Sequence, residues 1–168
     1  MGTLSSIPRE SIKGTGGLKY VMVANFSDVS TLIDATTGLT AFNPANPAVW
    51  KKYIPRKESS NFVETVTGTA ASGITSYNQV LTLVFAYNQQ AKRNELRVLG
   101  QSELVAVAVD RNDNAFVLGS TFGLDLTSGT IVSGTTPTDM NGMTVILSGN
   151  ENQPMGICSS TMLASITA

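Results

Sequence analysis

No histidine occurs among the 168 residues, and cysteine occurs once, at Cys158. The first absence removes the ordinary Ser-His-Asp and Cys-His catalytic arrangements and imidazole zinc sites. The second forbids an internal disulfide and points to a reducing compartment. Charge is scarce as well. Asp, Glu, Lys and Arg make up 14% of the chain, against roughly a quarter in an ordinary domain. A polar surface built instead from Ser, Thr, Asn and Gly suits burial in an oligomer. Long apolar runs are missing too: Val80–Ala86 is interrupted by Thr82, and Leu104–Val109 spans six residues. With no apolar N-terminal h-region either, neither a signal peptide nor a membrane helix of ~20 residues is expected.

What the chain does have is β-strand pattern. Phe62–Thr67, Val80–Tyr87, Leu104–Val109, Ala115–Leu118 and Met143–Leu147 are rich in β-branched and aromatic residues, and Gly, Asn, Asp or Ser bounds each one. Val80–Tyr87 is apolar on both faces, which predicts a central strand or one packed on a helix. Leu18–Ala24 reads as a further strand. Asp110-Arg111-Asn112-Asp113-Asn114 reads as a hairpin turn. It imitates the start of an EF-hand loop, but Ala115 replaces the required Gly and Thr121 the bidentate Glu, so no metal is expected there. Helices are predicted from Ser27 to a stop at Gly38, with Val29, Leu32 and Ile33 on one stripe, and over Gln89–Leu99, capped by Asn88 and ended by Gly100. Beyond Gly119, regularly spaced glycines punctuate short strands, as in a sandwich or barrel.

Organisation follows from this pattern. Residues 1–17, ending Gly14-Thr15-Gly16-Gly17, form an expected flexible N-terminal arm, and 18–168 a single β-rich domain with a long loop over 40–60. In that loop Pro44, Pro47 and Pro55 oppose regular structure, while Trp50 and Tyr53 require cover. Trp50, Lys51, Lys52, Tyr53, Arg56 and Lys57 are the candidate inter-subunit contact, since Trp, Tyr and Arg are common interface anchors. The same aromatic and basic set also fits single-stranded nucleic acid. The net charge of −1 hides a division. Residues 1–100 hold ten of the eleven bases and six acids, whereas 101–168 hold Arg111 and the other six acids. Such two-signed chains favour head-to-tail contact between copies. No catalytic residue, cofactor or metal is assigned, and a non-enzymatic assembly protein is expected.

The block Leu104–Asp110, Phe116–Gly119 and Gly123–Gly129, continued by Asp139–Glu151 and Pro154, resembles the tail tube (major tail) proteins of tailed bacteriophages. The resemblance is best over residues 80–155. It implies a mainly β, sandwich or barrel-like fold with one or two short flanking helices, an extended loop and an N-terminal arm. It further implies rings, six copies to each, stacked into a tube that conducts phage DNA without reading its sequence. The implied partners are the chain itself and other tail proteins, and the implied location is the virion tail, assembled in the bacterial cytoplasm. A tail terminator, a head-tail connector, a capsid decoration protein and a host-receptor binding module remain open alternatives.

Overall fold

Leu-Val-Ala-Val-Ala-Val-Asp, residues 104–110, is apolar everywhere but its last position, so it is satisfied only when covered on both faces. The computed structural model, which describes residues 6–7, 14–34, 38–43, 50–69 and 73–167, supplies that cover. In chain order the strands are β1 (Leu18–Asn25), β2 (Ser30–Asp34), β3 (Gly38–Asn43), β4 (Lys51–Tyr53), β5 (Asn61–Thr69), β6 (Ile74–Ala86), β7 (Leu104–Asp110), β8 (Ala115–Leu118), β9 (Asp125–Val132), β10 (Gly142–Glu151) and β11 (Gly156–Cys158). Helix α1 (Gln90–Leu99) lies between β6 and β7, and α2 (Ser160–Thr167) follows β11.

The strands form two sheets. One runs β2-β3-β11-β8-β7-β1-β4, and the other β5-β6-β10-β9. All pairings are antiparallel except the parallel contact of β11 with β3. The protein is therefore mainly β, as expected. β6 is an inner strand of the smaller sheet, which fits its apolar faces.

Alternation along β7 builds two cores. Leu104, Ala106 and Ala108 face the second sheet, joining Leu81, Leu83, Val145 and Leu147 from β6 and β10. The two small alanines leave room for the leucines opposite, as interdigitated packing requires. Val105, Val107 and Val109 face the other way, against Trp50 and Ile166 of α2, with Met162 and Leu163 packed alongside. The order of layers is thus sheet, sheet, then helix and tryptophan.

Three expectations are corrected. Ser27 does not open a helix. A single 3-10 turn, Phe26–Asp28, is followed by the β2–β3 hairpin, because β-branched Val29, Thr31 and Ile33 also fit an alternating pattern and pairing with β3 prevails. Residues 40–60 are not one loop, since β3 extends to Asn43 and β4 occupies Lys51–Tyr53. Gln89, rather than Asn88, occupies the N-cap of α1 and makes no side-chain capping bond, while the Asn88 amide donates to the Val132 carbonyl at 2.8 Å. Gly100 does end that helix, in a right-handed conformation. Residues 1–5, 8–13 and 44–49 lie outside the described residues, and with them most of the expected arm and part of the expected loop.

The predicted turn over 110–114 is present, joining β7 to β8. Its Asp110 carboxylate accepts from the backbone N–H groups of Asn112 and Asn114, each at 2.8 Å, and from both asparagine amides. Partial burial opposes ionisation, but these bonds outweigh it and hold the carboxyl below its usual range. This carboxylate closes the turn.

Candidate assembly surfaces

The smaller sheet ends in long strands on both sides. β5 and β9, nine and eight residues, are its outer strands, and neither pairs outward with another strand among the described residues. Ends of this kind are ready templates for pairing with another chain. Residues on the face turned away from the core include Val63, Thr65, Asn78, Val80, Thr82, Thr144, Ile146 and Ser148, paired across the strands in register. β5, β6, β9 and β10 contain no Lys or Arg at all.

Bases gather elsewhere. Lys19 is on β1, Lys51 and Lys52 on β4, and Lys92, Arg93 and Arg97 on α1. Arg56 and Lys57 stand exposed between β4 and β5. Lys19 meets Asp113 at 2.6 Å, and the hydrogen bond to Asp113 holds its ammonium above its usual range. Arg111 approaches Glu58 at 3.7 Å.

The six residues singled out from the sequence separate into two groups. Trp50 is only 6% exposed and sits in the chain's own core, so the cover it was expected to find on a neighbour is already provided within the chain. Tyr53 is half-buried, stands edge-on to Phe85 and donates its hydroxyl to Glu95. Burial first, and then that bond, push its ionisation well above the ordinary tyrosine range. Lys51, Lys52, Arg56 and Lys57 are exposed. The Lys52 ammonium lies 4.2 Å from the centre of the Tyr20 ring, a cation–π contact that leaves it at the surface. The segment leading to β5 is pinned to β6: Arg56 N–H donates to Val84 O at 2.7 Å, and Val84 N–H donates to Ser60 Oγ at 2.9 Å.

Between β4, α1 and the start of β10 a cavity of about 210 Å³ opens, lined by Tyr53, Ile54, Phe85, Leu99 and Met143 together with the charged Lys52, Lys92 and Glu95. At the far end of β10 a different feature was not foreseen. Glu151 is 2% exposed, and its carboxylate accepts from Thr121 N–H (3.1 and 3.2 Å) and Phe122 N–H (2.9 Å). Gly119 N–H donates to buried Gln79 Oε1 at 3.0 Å, and Gln79 in turn donates to Glu64. Gly119 takes φ +69°, and a Cβ there would lie 2.6 Å from Leu124 Cγ, so only glycine fits this turn. The result is a fastened loop, 119–124, that holds Phe122 59% exposed.

Comparison with protein-family models, curated proteins and solved structures finds no match to this chain. Among the described residues no group of three or more metal-binding side chains is clustered, and no helix is long and apolar enough to cross a membrane. Cys158 is buried, and that burial pushes its thiol up to about 11. The thiol is therefore a poor nucleophile near neutral pH.

Proposed function

We propose that this chain is the tube subunit of a bacteriophage tail, forming rings that stack into a conduit for DNA. The observation that carries the reading is the smaller sheet with both outer strands available. Its strands alternate in direction. A second copy in the same orientation therefore brings its β9 antiparallel to the first copy's β5, and the contact repeats head to tail until a ring closes. Closure removes every free edge of that sheet, the usual remedy for exposed strands.

Charge supports the same reading. DNA must slide through a tube wall, and a wall rich in Lys and Arg would hold it by counterion release. The four strands that would form the wall are free of both, and the bases of β1, β4 and α1 belong to other elements. No catalytic role is assigned.

The test is light scattering on the purified chain combined with single-particle electron microscopy. Expected are closed rings with β5 of one copy beside β9 of the next, and tubes at higher concentration. A chain that stays monomeric at high concentration overturns the assembly reading. Rings that never stack point to a terminator or connector instead, and rings closed through another surface refute the edge pairing.

A further inference from the structure

Phe122 is 59% exposed on a loop that a buried carboxylate holds in place, so an aromatic side chain is presented at the surface on a fixed backbone. Aromatic side chains bury ~150–250 Å² and are frequent anchors at the centres of interfaces. The cavity beside α1 is a receptor of matching chemistry, with aromatic and aliphatic walls from Tyr53, Phe85, Leu99 and Met143 and exposed Ile54 at its lip. The two features cannot meet within one molecule. Met143 lines the cavity, whereas Phe122 is bonded to Glu151, eight residues further along β10, a span of about 26 Å at ~3.3 Å per residue.

Their surroundings carry opposite charge. Exposed Glu103 and Asp125 border the Phe122 loop, and Phe26 and Glu103 lie against Gly123, with Asp28 on the neighbouring turn. At the cavity stand Lys52, whose ammonium lies over the Tyr20 ring, and Lys92, whose ammonium donates to the Ala86 and Tyr87 carbonyls, with exposed Lys51 and Arg56 nearby in sequence. The acid in its wall, Glu95, accepts from Tyr53.

We propose that the Phe122 loop of one copy seats in the cavity between β4 and α1 of a second copy. The knob and the socket lie at opposite ends of β10, so the contact is heterologous and each occupied molecule offers both again. This rests on the tube reading and assigns to it the contact between successive rings. The aromatic ring supplies most of the affinity, and the facing acids and bases set orientation and salt sensitivity.

The test mixes two chains, each with Cys158→Ala: one carries Phe122→Cys and the other Ile54→Cys. Under mild oxidation the expected product is a disulfide-linked heterodimer, absent when either chain is oxidised alone with its Cys158→Ala parent. Alongside, Phe122→Asp in the otherwise unaltered chain is expected to keep rings and the melting temperature while raising the concentration needed for tubes roughly tenfold or more. Tubes from Phe122→Asp at the unaltered concentration, with no heterodimer, overturn the contact and leave the tube reading standing. A heterodimer in a chain that forms no rings supports the contact and refutes the tube reading. Absence of both heterodimer and tubes overturns both.

Discussion

Replacing Glu151 with alanine removes the side chain that fastens Thr121 and Phe122. Two backbone N–H groups lose a charged acceptor at 2.9–3.2 Å. Hydrogen bonds to charged groups contribute ~1.5–3 kcal/mol each, which sets a gross loss of about 3–6 kcal/mol. Two effects reduce it. The alanine chain no longer desolvates a carboxylate, and water reaches the half-buried donors, so the net destabilisation comes to about 2–3 kcal/mol. For a chain of this size that corresponds to a fall in Tm of roughly 4–12 °C. Glu151→Gln keeps one acceptor oxygen and is expected to lose about half as much. Calorimetry measures the first quantity, and amide exchange over 119–124 shows whether the loss is local. The signature is faster exchange at Thr121 and Phe122 in the alanine variant, with the β6–β10 ladder unchanged. A Tm within about 2 °C of the unaltered chain, together with unchanged exchange in the loop, would refute the assignment of Glu151 as the loop's anchor.

Gly149→Ala places a Cβ 2.4 Å from the Gly123 carbonyl oxygen, a backbone atom that cannot swing aside, and is expected to cost about 2–4 kcal/mol by chemical denaturation. Asp139 accepts backbone N–H bonds from Thr136 and Thr135, which lower its carboxyl from 3.8. Its contribution is present above that value and lost as the pH falls through the lower folded one, so exchange at Thr135 and Thr136, corrected for intrinsic rate, should speed up on acidification below about pH 4 and be fast at all pH values in Asp139→Ala.

Much of the fold is legible in the chain because its strands carry local signatures. The continuous apolar run of β7, the alternation in β5 and the Asp110–Asn114 turn each have a mechanism written into neighbouring residues. Misreadings arise where distant partners decide. Val29, Leu32 and Ile33 satisfy a helical stripe, yet residues 30–34 pair with β3. Trp50 sits among prolines and lysines that suggest an exposed loop, but its cover comes from Val105 and Ile166, far along the chain. α2 does carry a local signal, since Ser159 Oγ accepts from Met162 N–H at 3.3 Å, an N-cap pattern followed by apolar Met162, Leu163 and Ile166. Of the candidate contact residues, the exposed bases were legible from charge alone. The Phe122 loop was not, because its anchor lies 29 positions away.

The place of β11 has a consequence for how the chain comes to be folded. It is the only strand joining the β2–β3 hairpin to the rest of the larger sheet among the described residues, through Leu39 on one side and β8 on the other. During synthesis residues 30–43 therefore emerge early and have no sheet to dock on until residues 156–158 have been made. Closing so long a stretch of chain is slow, and it exposes partly paired strands meanwhile. Nascent chains on one messenger are thus at risk of cross-pairing through that waiting hairpin.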